Sequence, residues 1–311
     1  MKTKQTFFSV FLISLTVLFP AVFSCATTSA VSDTQVKPEA SPADVYADIL
    51  QNDVSITVVS GPGAVTVNRK FAAPFVFAVR HSDGSPYADF DIELTYPAQK
   101  NQGIVEYKSE IFKTGSDGLV TFAPETPAFA AADKVTVRPA VLYNKKAVKE
   151  ACDALAVSAP FLVRSDIAAK GAVLFIWDFN EKGSPTTNFT QIQSELRARG
   201  ITLVGNGPVN EISYIGKDKE LYRDTYAAIG GNAYGYLISG TVKYERPVES
   251  DADGYVCAMT ADIRGIRMRD GEVVFSGTFT QESRGKNRNI SIQNCKESIA
   301  GQIVDALIFG L

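Results

Sequence analysis

The spacing of apolar residues changes character several times along the chain. Behind Lys2 and Lys4, residues 7–19 are almost continuously apolar. Residues 26–40 then carry small and polar side chains and no aromatic, too little apolar surface to offset the cost of ordering, so they read as a flexible tether. Ser41-Pro42 supplies an N-cap followed by proline at the first helical position and predicts a short helix to about Leu50. From Val54 the texture is that of strands. Short β-forming runs at 54–59, 64–68, 75–80, 90–96, 104–113, 119–122 and 135–142 are separated by Gly, Pro and Asp turn clusters. Strands recurring at such short intervals predict a β-sandwich over residues 52–143. Residues 144–170, with Lys145, Lys146, Lys149 and Glu150 ahead of Pro160, read as an exposed helical segment within a linker.

The pattern differs from residue 171 to 311. Residues 172–179 are a continuous apolar run of strand length, as a strand buried on both faces would be. Phe189, Ile192 and Leu196 stand at helical spacing ahead of Gly200, and residues 217–229 repeat that texture ahead of Gly230-Gly231. A short strand is expected at 201–204. Tyr236, Ile238, Gly240, Val242 and Tyr244 alternate with Ser239, Thr241 and Lys243. Tyr255, Cys257, Met259, Ala261 and Ile263 form a second alternating set whose parity slips at Ile266, which predicts a bulge near Gly265. Asp270-Gly271 is a hairpin turn leading to Val273, Phe275, Gly277 and Phe279. A closing helix carries Ile292, Cys295, Ile299 and Ile303. The expected fold class is therefore two domains: an all-β sandwich, then an α/β (α+β) domain of order β-α-β-α-β-β-β-α with a mixed sheet and packed helices.

Charge and composition narrow the function. The chain has 31 basic and 34 acidic residues, and without Lys2 and Lys4 the balance is 29 to 34. That balance argues against nucleic acid as a partner, because neutralising phosphates needs a basic surface. The only histidine, His81, falls in a turn cluster, so no His-based triad or multi-His zinc site can be assembled. No nucleophile elbow or phosphate loop appears. Asp251-Ala252-Asp253-Gly254 starts like a calcium loop but lacks its later ligands, and a plain turn is the expectation. Asp83, Asp89 and Asp91 are read as turn and strand residues, and Trp177 as core. The expectation is a non-enzymatic protein with no cofactor and no metal.

Four cysteines are present, at 25, 152, 257 and 295. Their spacings match no zinc pattern. In an oxidising envelope Cys257 and Cys295 are the candidate disulfide; three buried thiols acting as small apolar residues are the alternative.

Lys2 and Lys4, the apolar run and Val22-Phe23-Ser24-Cys25-Ala26 make a charged region, an apolar region and a cleavage site. Residues 22–25 resemble a bacterial lipobox. That resemblance implies a signal peptide over 1–24 and a lipid-bearing Cys25, with 25–51 as tether and short helix. Secretion without lipid and an uncleaved anchor remain as other readings. Pro20 and a length short of the ~20 residues needed to span oppose the anchor. Acyl chains on one cysteine contribute about 0.8 kcal/mol per buried CH2, enough to hold the chain at a membrane.

Two further resemblances concern the folded parts. Asp83-Gly84-Ser85-Pro86, Asp91-Ile92-Glu93-Leu94 and Thr114 through Asp117-Gly118-Leu119-Val120-Thr121-Phe122 resemble invasin-type bacterial immunoglobulin-like domains, which implies a spacer or adhesion module. Ala172–Asn180, the passage from Ala227-Ala228-Ile229-Gly230 to Gly240-Thr241-Val242, and the closing helix resemble an envelope superfamily. That superfamily includes the curli secretion pore protein, the lipoprotein activator of penicillin-binding proteins and the N-terminal domain of TolB. What these resemblances imply is an envelope lipoprotein, lipid-anchored on the periplasm-facing side of the outer membrane, with a scaffold or binding role toward an envelope protein. A surface adhesin and a component of a secretion or assembly complex stand as alternatives.

Overall fold

The Ser41 hydroxyl accepts the Asp44 N–H, and Pro42 follows it, so the first helix begins where the cap and the proline require. The computed structural model describes residues 40–101, 103–231 and 233–311. Cys25, residues 1–24 and the tether lie outside the described residues. In chain order the elements are α1 (Pro42–Asn52), β1 (Ser55–Ser60), β2 (Val65–Thr66), β3 (Phe75–Arg80), β4 (Asp91–Asn101), β5 (Ile104–Lys113), β6 (Leu119–Phe122), β7 (Ala131–Pro139), α2 (Lys146–Ala154), β8 (Val157–Arg164) and α3 (Ile167–Lys170). They continue with β9 (Ala172–Phe179), β10 (Pro185–Asn188), α4 (Thr190–Ala198), β11 (Val204–Asn206), α5 (Asp218–Ala228), β12 (Tyr236–Tyr244), β13 (Glu249–Asp251), β14 (Gly254–Arg267), β15 (Val273–Gly285) and α6 (Arg288–Gly310). The described chain is thus a mixed α/β structure, mostly sheet with six α-helices.

In the first half, a three-stranded sheet ordered β1-β3-β6 faces a five-stranded sheet ordered β2-β8-β7-β4-β5. Phe75, Phe77 and Val120 from the first meet Ile92, Leu94, Val135 and Phe161 from the second in one core. Burying each such side chain contributes about 1.5–3 kcal/mol. Leu50 of α1 and Val148 and Cys152 of α2 join that core. The helix expected to belong to the tether is therefore part of the sandwich.

Residues 144–170 are not a linker. They hold α2, the short α3 and β8, which lies between β2 and β7. Ala159, Phe161 and Val163 are each at most 1% exposed and alternate as a half-buried strand should. Pro160 is tolerated because β2 reaches only Val163 and Arg164, leaving one side of β8 open at residue 160.

In the second half β9 and β12 run parallel at the centre of a seven-stranded sheet. Antiparallel β14 and β15 continue it beyond β12, while β10 and β11 flank β9 on the other side. The expected bulge is present as a register shift between Gly265 and Ile266. The expected order is met, with the short strands β10 and β13 added. Helices α4 and α6 cover one face, where Leu174, Ile176, Ile238, Met259, Ile299 and Ile303 form the core.

Ser41–Leu311 form one compact unit, in which the sandwich and the α/β part keep separate cores. The two parts meet at the end of α6. Its last carbonyls have no partners within the helix. Ser165 N–H donates to Ile308 O (2.6 Å), Ser165 Oγ to Leu307 O (3.2 Å), and Lys100 Nζ to Gly310 O (2.8 Å). Residues from the sandwich side thus complete a helix of the α/β side.

Candidate binding site on the open sheet face

The face of the large sheet opposite α6 is only partly covered. Helix α5 packs Leu221 against Val173, Phe175, Leu237, Ile266 and Met268. Beyond that cluster the same face turns polar, because the alternation of β12 puts Ser239, Thr241 and Lys243 on the side away from α6. The register aligns them into rows. Phe175, Ser239, Arg264 and Ser276 form one row across β9, β12, β14 and β15. Asn188, Trp177, Thr241, Asp262 and Thr278 form the next, beginning on β10. Lys243, Thr260 and Thr280 form a third.

A hollow of about 220 Å³ opens over these rows, lined by Tyr214, Ile215, Asp218, Ser239, Thr241 and Arg264 among others. Asp218 stands in the first turn of α5, where the helix dipole favours a negative charge. It accepts from the Arg264 guanidinium, and from Ser239 Oγ at 3.3 Å. Asp262 accepts from Thr278 Oγ1 at 2.8 Å. The Lys243 ammonium lies 5.0 Å from the centre of the Phe179 ring, a cation–π distance. Thr241 is only 7% exposed. The face therefore offers an accessible ammonium and an exposed carboxylate, that of Asp262, beside aromatic surface, a set suited to holding polar groups of another molecule.

The residues singled out from sequence are dispersed. Cys25 is outside the described residues. Cys257 of β14 and Cys295 of α6 are buried together beneath α6, on the face opposite the hollow. The candidate disulfide is not formed in this structure: both are free thiols. A hydrogen bond with Cys295, then burial, pushes the Cys257 thiol up, and the same bond lowers that of Cys295. Cys295 Sγ also lies 3.2 Å from Gln281 O. Cys152 is a third free thiol, in the sandwich core.

His81 stacks on Tyr87 at 3.8 Å between centroids and bonds Asp53 at 2.7 Å, far in sequence from any residue of the hollow. Bonds from His81 and from the Ser82 N–H and hydroxyl hold the Asp53 carboxyl below its ordinary value. Asp251 accepts from the Asp253 N–H (2.9 Å) in the β13–β14 hairpin and pairs with Arg284. Asp83 accepts from the Ser85 N–H, and Asp91 pairs with Lys113. Among the described residues no three His, Cys, Asp or Glu side chains gather as a metal-ligand set. Trp177 packs edge-on against Phe175. Its Nε1 and the Oδ1 of neighbouring Asn188 are buried without partners among the described residues. Asp218, Asp262 and Arg264 were missed from sequence. Asp262 and Arg264 were within reach, since they occupy the polar positions between Ala261, Ile263 and Gly265; Asp218 was not, because only the fold brings α5 over β14.

Residues 171–308 match the family model described as TP0693-like lipoprotein, C-terminal domain. The match covers the large sheet with its helices and the hollow, and it supports a bacterial envelope lipoprotein. No curated protein matches the chain. Among solved structures, the PelC dodecamer from Paraburkholderia phytofirmans is similar at 24% identity, over 45% of this chain and 87% of that one, with a TM-score of 0.30. Lipoprotein GNA1162 from Neisseria meningitidis is similar at 17% identity, over 44% and 94% of the two chains, with a TM-score of 0.25. Among the described residues no helix is long and apolar enough to cross a membrane.

Proposed function

We propose that this protein is a lipid-anchored envelope lipoprotein without enzymatic activity, whose open sheet face binds an envelope protein. The observation that carries the reading is the lipoprotein-family match over residues 171–308, on a chain whose residues 22–25 resemble a lipobox. In this reading Cys25 carries the lipid at the periplasm-facing outer membrane. The sandwich acts as an immunoglobulin-like spacer, and Thr241, Lys243, Asp262 and Arg264 face the partner. The hollow supports protein binding better than catalysis, because the Asp218 carboxylate is engaged by Arg264 and Ser239 rather than left beside a nucleophile.

The mass of the mature N-terminus tests the anchor: a diacylated or triacylated Cys25 is expected, and an unmodified Ala26 or Thr27 removes the reading. A photo-crosslinker at Lys243 tests the face. It should capture one envelope protein reproducibly, and Asp262→Arg, at an exposed position of the same face, should abolish capture while leaving the melting temperature unchanged. Protease shaving of intact cells separates this from a surface adhesin, which would be cleaved.

A further inference from the structure

The edge of the five-stranded sheet carries an unused interface. Strand β5 runs for 10 residues, is the terminal strand of its sheet and, among the described residues, pairs only with β4. Its free edge therefore offers a row of backbone donors and acceptors, the kind of edge folded proteins ordinarily shorten or cover. The opposite edge of the same sheet, β2, is 2 residues long. The side chains of β5 are unusual for an edge left to solvent: Ile104, Tyr107 and Ile111 are 70%, 56% and 67% exposed. Tyr107, Ser109 and Ile111 share the outer face, opposite Pro97, Thr95 and Glu93. Lys108 and Glu110 lie on the other face, 2.7 Å apart as an ion pair.

Two identical strands pairing antiparallel about a two-fold axis must centre on a residue, since outward-facing backbone groups pair only with their like. Centring on Lys108 opposes Glu106 to Glu110 of the second copy, two repulsions. Centring on Glu110 sets Tyr107 against Lys113. Centring on Tyr107 leaves Ile111 beyond the overlap. Centring on Ser109 places Lys108 against Glu110 twice and Tyr107 against Ile111 twice, and carries pairing from Val105 through Lys113. Opposite charges and aromatic–aliphatic pairs directly across are the favourable cross-strand combinations.

We infer that β5 is a self-association edge, joining two copies of this chain through antiparallel β5–β5 pairing centred on Ser109. The inference is independent of the binding role given to the other face. It commits to a second copy because the charges of this strand complement themselves in a register that also pairs nine of its ten residues, Val105 through Lys113.

The test uses the full chain in its own membranes. Ser109→Cys places two thiols directly opposite each other, whereas Tyr107→Cys sets them four residues apart, about 13 Å along the strand. With copper–phenanthroline as oxidant, the Ser109→Cys protein should run as a disulfide-linked dimer on a non-reducing gel; the wild type and Tyr107→Cys should not. Adding Lys108→Glu should abolish the dimer, and Lys108→Glu with Glu110→Lys should restore it. A photo-crosslinker at Ile111, leaving Ser109 intact, should give a product of the same doubled mass. Equal linking by Ser109→Cys and Tyr107→Cys, an Ile111 adduct of any other mass, or absence of both products would overturn the inference.

Discussion

Lys296 of α6 and Asp178 of β9 form an ion pair in the interior of the α/β part, with side chains only 17% and 13% exposed. The ammonium also lies 5.8 Å from the Phe189 ring. Asp178 Oδ1 has no partner among the described residues, so the carboxylate depends on Lys296 alone for a side-chain cation. Breaking a buried pair from one side leaves an uncompensated charge. Lys296→Met is therefore expected to cost about 3–5 kcal/mol. Lys296→Met combined with Asp178→Leu should recover most of that loss. Urea denaturation of the three proteins checks both; a double variant as unstable as the single one would contradict the account.

Much of the architecture was legible because burial on one or both faces leaves a period in the sequence. The strand at 104–113 coincides with β5, and the parity slip at Ile266 marks a bulge the structure contains. Helix α1 was legible from Ser41-Pro42 alone. Strand β8 was not, because its alternation is short, contains Pro160 and follows a lysine-rich helix. The capping of α6 by Ser165 and Lys100 left no local signal either, since it joins residues 142 and 210 positions apart. That cap joins the sandwich to the α/β part. The hollow was half legible: period 2 marked Ser239, Thr241 and Lys243, but only tertiary packing sets Asp218 against Arg264.

Asp270 links the β14–β15 turn to pH. A hydrogen bond from the Arg267 guanidinium, with smaller help from the Glu272 N–H and Arg269, lowers its carboxyl from 3.8 to about 2. A carboxylate depressed on folding contributes stability that is present above its unfolded value and lost as pH falls through its folded one. The window is therefore about pH 4 to 2. The Asp270 side chain is 36% exposed, so solvent screens the contribution and it stays small. The stability difference between wild type and Asp270→Asn should be constant above pH 5 and vanish toward pH 2, as read by thermal melts across that range.

Gly240 is needed at the centre of β12. A Cβ there would lie 2.2 Å from Asp262 O and 3.1 Å from Ile263 Cα, both backbone atoms that cannot move without opening the β12–β14 ladder. Overpacking of this kind costs typically 1–3 kcal/mol and at times more. Gly240→Ala should fall at or above the top of that range and lower the melting temperature, whereas Gly301→Ala, with open space around its Cβ, should not. An unchanged melt for Gly240→Ala would contradict this packing.

Lys100 tests whether the two halves act as one unit. From β4 its ammonium donates to Gly310 O at 2.8 Å and to Ala130 O at 3.3 Å, placing a positive charge at the negative end of α6. Burial lowers its pKa from the ordinary 10.5. For a base depressed on folding, the charged form carries a desolvation cost at neutral pH, and that cost is relieved as pH rises through the folded value toward 10.5. The bonds outweigh it by about 1 kcal/mol at neutral pH, the usual net for such contacts. Lys100→Met should therefore destabilise by that amount. Its effect should concentrate in the last turn of α6, where amide hydrogen exchange should quicken while β12 and β14 stay protected. The stability gap between wild type and variant should widen as pH is raised toward 10.5, because only the wild type sheds a buried charge. A gap that narrows there, or exchange that quickens evenly across the large sheet, would show that Lys100 does not join the halves.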